Sequence, residues 1–345
     1  MDRKKISIVS PCYNEEANVE QLYLQVKEVF ETSLPQYDYE HIFIDNCSKD
    51  RTASIIKGII AQDPRIKLIV NARNFGHIRS PHHALLQASG DAIMLMASDL
   101  QDPPTLIPEF VKKWEAGYKV VLGVKTESEE SALMFAIRKF YYNFIGKVSE
   151  IELTKNCTGF GLFDKQVVEI IRQIDDPYPY FRGMVSDIGF ESFKITYKQP
   201  KRRRGITKNN FYTLYDMAML GITNHSKVPL RIATLLGFAM SGVSLIFAVG
   251  FFIAKLLFWS QFSLGTAPIL IGLFFFSSVQ LFFIGIIGEY IGAIHTQVQK
   301  RPLVIENERI GFESNALNSG RSQSASQAQS SPDPQSFQSR DANPV

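Results

Sequence analysis

Three short stretches concentrate residue types that handle phosphates and metal ions. They are Ser10-Pro11-Cys12-Tyr13-Asn14-Glu15-Glu16, Ile44-Asp45-Asn46-Cys47-Ser48-Lys49-Asp50-Arg51-Thr52 and Ser98-Asp99-Leu100-Gln101-Asp102-Pro103-Pro104. The Asp99 carboxylate, with the side-chain carbonyl of Gln101 two residues on, offers hard oxygen ligands of the kind Mg2+ or Mn2+ takes, leaving other positions for phosphate oxygens and water. An ion held this way bridges a diphosphate and neutralises charge that builds on it as a bond breaks. The competing use of Asp99 and Asp102 is to cap a helix begun by Pro103-Pro104. Ser48 and Thr52 read mainly as the capped start of another helix.

Such side chains need a scaffold. β-rich runs at 6–9, 40–44, 66–70, 92–96 and 120–122 alternate with segments of helical length and period. That is the βαβ alternation of a mainly parallel sheet. Ligands bind such sheets beyond the carboxyl ends of the strands, so a site is expected on the loops beginning at Ser10, Asp45, Asn71, Ala97 and Gly123.

The chain has 345 residues, 45% of them hydrophobic and 21% charged, which excludes a wholly disordered or collagen-like protein. A net charge of +3 is too small for a protein that coats nucleic acid. Three scattered cysteines, Cys12, Cys47 and Cys157, fit neither a disulfide framework nor a zinc site, and a reducing compartment is expected. The apolar run 6–9 is too short for a signal-peptide core, so secretion is not expected.

Composition then shifts along the chain. No charged residue occurs in 232–254 or in 262–288, and each stretch exceeds the roughly 20 residues that cross a bilayer as a helix. Two transmembrane helices are predicted, at 229–258 and 264–294. Lys198, Lys201, Arg202, Arg203, Arg204, Lys208, Lys227 and Arg231 precede the first and Lys300 and Arg301 follow the second, while the connector 259–268 carries no charge. This asymmetry predicts a multi-pass protein of the inner (plasma) membrane with both termini and the 1–210 domain in the cytoplasm. Phe211, Leu214, Tyr215, Ala218 and Ile222 share one helical face, so 211–228 is predicted to lie along the membrane surface. The segment 295–313 is expected on the cytoplasmic side, and the Ser-, Gln- and Asn-rich 314–345 is expected to be a disordered tail.

With these motifs the chain resembles the family 2 glycosyltransferases of GT-A fold, and more closely the membrane-anchored polyisoprenyl-phosphate glycosyltransferases, which include dolichyl-phosphate mannose synthase and the bacterial GtrB and ArnC types. The likeness covers about residues 5–300. It implies an α/β GT-A catalytic domain that transfers one sugar from a nucleotide-sugar to a polyisoprenyl phosphate, with UDP-glucose and undecaprenyl phosphate as first choices, and Mg2+ or Mn2+ on Asp99 and Gln101. It implies a donor cleft of Pro11, Tyr13, Glu15, Asp45, Asn74, Gly76 and Ser98, closed by a loop carrying Arg202, Thr207 and Lys208. Lys125 and Arg138 match the region that holds the acceptor phosphate. A lipid monophosphate is mostly dianionic at neutral pH, so it needs positive charge and alignment more than a strong base. Attack opposite the leaving diphosphate predicts inversion. His77, His82 and His83 share no ligand spacing with a carboxylate set and are expected to be structural or on the acceptor side. Relatives can assemble as homo-oligomers, and no nucleic-acid partner is expected.

The chain departs from that pattern in three places. Ala97 stands where relatives commonly have the first Asp of Asp-x-Asp-x-Gln, Asn46 where many have a second Asp, and Asn156-Cys157-Thr158-Gly159-Phe160-Gly161-Leu162 where Gly-Asp-Phe-Arg-Leu is usual. A non-catalytic membrane adaptor that keeps the nucleotide-binding fold, or a synthase using GDP-mannose or a UDP-aminosugar, are the alternatives. A processive synthase is disfavoured, because neither Trp114 nor Trp259 follows an arginine as its Gln-x-x-Arg-Trp element requires.

Overall fold

The computed structural model describes residues 3–126, 157–200, 228–257, 266–299 and 301–312. The predicted surface helix, the loop with Arg202, Thr207 and Lys208, Arg138 and the 314–345 tail lie outside the described residues.

All five expected strands form: β1 (Lys5–Cys12), β2 (Asp38–Asp45), β3 (Ile66–Asn71), β4 (Ala92–Leu95) and β5 (Val120–Lys125). Between them run α1 (Val19–Thr32), α2 (Thr52–Ile60), α3 (Gly76–Leu86) and, after a single turn at Pro104–Leu106, α4 (Ile107–Glu115). Helix α1 forms because Val19, Leu22, Tyr23, Val26, Val29 and Phe30 recur at helical spacing and are all buried. Next come β6 (Cys157–Asp164), α5 (Lys165–Ile174), α6 (Phe181–Asp187) and β7 (Ser192–Tyr197), and then α7 (Val228–Leu257), α8 (Thr266–Val298) and β8 (Glu306–Ile310).

The eight strands make one sheet in the order β7-β5-β6-β4-β1-β2-β3-β8. β1 pairs in parallel with β2 on one side and β4 on the other, so the strand order reverses between β1 and β4. The crevice beyond their carboxyl ends is where such sheets bind ligands. Alternate residues of each strand feed two cores. Ile8, Phe43 and Leu68 pack against α1, α2 and α4, whereas Val9, Ile42 and Ile69 pack against α3, α5 and α6. Burial on both faces makes these strands read as near-continuous apolar runs.

Three strands go beyond the sequence expectation, and β6 and β8 are antiparallel to their neighbours. β6 is rich in small residues and threads between β4 and β5; a Cβ on Gly161 would sit 2.8 Å from the Val121 carbonyl oxygen, which only glycine avoids. β8 is an edge strand dense in charge, a composition suited to a sheet border.

The two apolar stretches are helices of 30 and 33 residues, close to the predicted limits. Their large side chains are uncovered: Phe238 and Ile246 are each 73% exposed and Leu281 69%. A helix apolar all round whose described side chains lie uncovered fits an apolar solvent better than a protein core. Among the described residues Phe275–Val298 is long and apolar enough to cross a membrane; in α7 the qualifying apolar run is the shorter Val228–Val243. The membrane-crossing expectation therefore stands for one helix by this criterion, not two.

Candidate active site

Two loops at the switch point are tied together by polar side chains. After β1, the Asn14 amide donates to Ser48 Oγ (2.9 Å) and its side-chain oxygen accepts from the Lys49 amide (2.8 Å). The Glu15 amide donates to Thr52 Oγ1 (2.9 Å) and the Glu16 amide to Asp50 (3.1 Å). Ser48 donates its hydroxyl and its amide to Asp45. The expected capping role of Ser48 and Thr52 is therefore corrected: α2 has Arg51 at its N-cap with no side-chain cap, and both hydroxyls are spent joining the loops. Burial pushes the Asp45 carboxyl above its ordinary range, opposed by the two Ser48 hydrogen bonds.

Asn46 explains its own departure from the family pattern. Its Nδ2 donates to Asn74 Oδ1 (3.0 Å) and the Gly76 carbonyl (3.2 Å), and its Oδ1 accepts from Asn71 Nδ2 (3.1 Å) and the Phe75 amide (2.9 Å). A buried position with two acceptors and two donors facing it needs an amide, and a carboxylate would meet two oxygens with nothing to donate. Asn74 and Gly76 are thereby fixed beside the β1 and β2 loops, with Gly76 at φ +86° opening α3.

The loop after β4 is built around a buried carboxylate. Asp102 accepts from the Ala97 amide (3.2 Å) and from the Tyr197 hydroxyl on β7 (2.8 Å). Burial raises its pKa, with the Tyr197 bond opposing. Asp99 accepts the Gln101 amide at 3.2 Å, and Leu100 between them sits at φ +59°. Neither aspartate caps the following turn, whose N-cap is Pro103 without a side-chain bond, which corrects the capping alternative. Asn14 and Cys47 also have positive φ, so three of the four non-glycine residues in that region, among those described, lie on loops facing the crevice. Left-handed backbone at such residues costs about 1 kcal/mol or more each and persists where the surroundings hold it, characteristically at functional sites.

Asp99 opens into a cavity of about 430 Å³. One wall is Pro11, Ala97 and Asp102; α3 contributes His77, Pro81 and His82, and α6 with its approach contributes Tyr180, Phe181 and Arg182. Burial keeps His82 neutral, its pKa pushed down to about 4, and its Nδ1 has no hydrogen-bond partner among the described residues. His83 turns away and bonds Glu306 of β8 at 2.6 Å. Ser98 is buried with its hydroxyl unpartnered. Tyr13 is half-buried, while Glu15 is buried and accepts from Asn18 Nδ2 at 2.5 Å. Lys125, at the end of β5, is half-buried; burial lowers its pKa, against the opposing fields of Asp102 and Asp99.

The donor set suits a cation only in part supplied by protein. Among the described residues no three His, Cys, Asp or Glu side chains converge on a metal position. Asp99, half-buried in the cavity wall, and Gln101 beside it would hold an ion that takes its remaining ligands from phosphate and water, the habit of Mg2+.

Arg182 and the Asn46 hub escaped the sequence reading. Arg182 stands alone in an aromatic stretch with no spacing signal, whereas Asn46 carried a visible one, an amide where an acid is common.

The doubly wound sheet thus carries an acidic loop at its switch point, beside a cavity of about 430 Å³. The glycosyl transferase family 2 model matches residues 7–171. The chain is 33% identical over 312 residues to the uncharacterized glycosyltransferase YkcC of Bacillus subtilis, covering 90% of this chain and 96% of that one. It is 34% identical over 307 residues to the bactoprenol glucosyl transferase of Shigella phage SfV, covering 88% and 99%. Among solved structures, glucosyl-3-phosphoglycerate synthase of Mycobacterium tuberculosis overlaps at a TM-score of 0.41 and 16% identity, over 64% of this chain and 78% of that one. The chain belongs to glycosyl transferase family 2 and is a glycosyltransferase.

Proposed function

We propose that the protein transfers one sugar, glucose first among candidates, from a UDP-sugar to a polyisoprenyl phosphate at the inner face of a membrane, with inversion. The observation that carries this reading is the Asp99 cavity in a domain whose chain runs on into long helices with bare apolar surfaces. The phosphate of a lipid acceptor stays at the bilayer surface, so the active site must be held there. Relatives along most of the chain are named bactoprenol glucosyl transferases, which supports both the acceptor class and the sugar. Both long helices span the bilayer in this reading, and the cationic residues before α7 keep the domain cytoplasmic.

The crosslinked β1 and β2 loops, with Pro11, Tyr13, Glu15, Asp45, Asn74 and Gly76, take the nucleoside. Ser98, Asp99 and Gln101 face the diphosphate, assisted by Arg202, Thr207 and Lys208. A bound Mg2+ or Mn2+ held by Asp99 and Gln101 would neutralise charge on the departing nucleoside diphosphate. Lys125 and Arg138 align the lipid phosphate, which attacks the anomeric carbon from the opposite face without a protein base.

The test is incubation of the purified protein with labelled UDP-glucose, other nucleotide-sugars, Mn2+ and a short polyprenyl phosphate. Lipid-linked glucose of inverted configuration is expected. Absence of lipid-linked sugar with every donor would overturn the reading and favour an adaptor.

A further inference from the structure

We propose that Arg182, the α6 residue in the cavity wall, is a further cation for the acceptor phosphate, facing it together with Lys125. The inference rests on the proposed function and adds a specific residue to its acceptor half.

Arg182 is half-buried. Its guanidinium has five N–H donors in a fixed fork. The hydrogen bond found for it runs from one terminal nitrogen to the Cys157 carbonyl at 2.8 Å, and among the described residues no carboxylate pairs with it. That bond holds the fork in place and leaves donors for an oxyanion. The placement suits this: Arg182 shares the cavity wall with Asp99, so a ligand there can meet both. It is also close to Lys125 along the sheet: Val124, the residue before Lys125, pairs with Cys157, whose carbonyl Arg182 bonds, and beside burial the Arg182 charge helps to lower the Lys125 pKa. Two half-buried cations on neighbouring elements, with no carboxylate paired to the second among the described residues, gain from a dianion within reach of both. The transferred sugar is neutral and offers no such gain, and the nucleoside side of the crevice is already crosslinked by its own side chains. A phosphate monoester arriving on the α6 side, opposite the β1 and β2 loops, is the ligand whose charge fits.

The test uses the full chain in detergent micelles or nanodiscs, with farnesyl phosphate as acceptor, farnesol as its uncharged control and UDP-glucose as donor. Arg182→Ala is expected to raise KM for farnesyl phosphate about tenfold or more, the worth of one charge-assisted hydrogen bond. The KM for UDP-glucose should stay within about twofold, and Arg182→Lys should recover part of the loss. A rise confined to the UDP-glucose KM would assign Arg182 to the donor diphosphate and overturn the proposal. No change in either would reduce it to a brace on β6. Circular dichroism and thermal unfolding of each variant separate these outcomes from misfolding. If the wild type transfers to no polyprenyl phosphate, the proposed function fails by itself. Calorimetric binding of farnesyl phosphate against farnesol then still decides Arg182, and equal affinity of wild type and Arg182→Ala refutes it.

Discussion

The two sides of the crevice are built in opposite ways. On the side proposed for the nucleoside, the loops after β1, β2 and β3 are sewn together through Asn14, Asn46, Ser48 and Thr52, with backbone groups and side chains answering one another. On the α3 and α6 side, the cavity is lined by Pro81, by His82 with one nitrogen unpartnered among the described residues, and by Arg182, whose one hydrogen bond among them leaves donors over. The first side is largely crosslinked before anything binds, although Asn71 Oδ1 has no partner among the described residues. The second still holds unmet polar groups, the state expected where a substrate completes the set. A binding surface that must accept one constant moiety can be locked, whereas one that receives a reacting group keeps its donors in reserve.

Asp99 lies on the border between the two sides, and its removal should have the largest effect. Asp99→Asn is expected to lower the transfer rate by about 10²–10³-fold or more, as for loss of a key electrostatic stabiliser, with normal folding and membrane insertion. Near-normal turnover in a steady-state assay would show that neither side depends on this carboxylate.

The opposite, amino-terminal end of the same sheet, where Glu40 and His41 pair beside Ser7 and Ile8, should show itself in acid. Burial opposes ionisation of Glu40, but hydrogen bonds from Lys67 (2.6 Å) and Ser7 (2.5 Å) and the Ser89 amide (2.8 Å) outweigh it and hold the pKa at about 2. The native pKa is below the unfolded one, so the contribution is whole above about pH 4.5 and is lost as pH falls toward 2. Its size is about 3 kcal/mol. Burial likewise holds His41 neutral down to about pH 3, so the unfolded state gains protons first from about pH 6.5 downward. Chemical denaturation from pH 7 to 3 should show falling stability in two overlapping phases, and Glu40→Gln should remove the lower one.

Asn46→Asp tests whether the nucleoside side is truly locked. Leaving two buried oxygens opposite a carboxylate should cost about 2 kcal/mol of stability and raise KM for the nucleotide-sugar more than for the lipid. An equal rise in both would blur the contrast drawn above. The smallest effect is expected at the sheet border: Glu306→Gln weakens the bonds to His83 (2.6 Å) and Arg309 (2.6 Å) and should cost about 1 kcal/mol, measurable by urea denaturation. Its effect should fall on the α3 wall, and therefore on acceptor kinetics, with the nucleoside side untouched.

Much of this was legible in the residues. β1 to β5 announce themselves as buried apolar runs, and Asp99 by its place at a strand end. β7 carried a period-two signal in Phe193, Ile195 and Tyr197, but it is short and follows a loop. β6 was hidden because its glycines read as a loop motif, and β8 because an edge strand needs no apolar core face. The capping error at Ser48 and Thr52 has one cause: a hydroxyl near a helix start is locally ambiguous, and only the distant β1 loop, thirty-odd residues earlier, decides which amide it serves. Arg182 was invisible for the same reason, since its significance depends on a cavity that folding assembles.

β8 carries one more consequence. The chain returns from α8 and, only eight residues after Val298, is already paired with β3, while Gln297 Nε2 reaches Asp176 Oδ1 at 2.8 Å. Eight residues reach at most about 29 Å, so the return is a short mooring line rather than a free leash. With α8 held in a bilayer as proposed, a domain berthed that tightly would keep a constant stand-off from it. On the proposed acceptor it would grip only the head of each lipid and remain indifferent to how much tail trails into the membrane below.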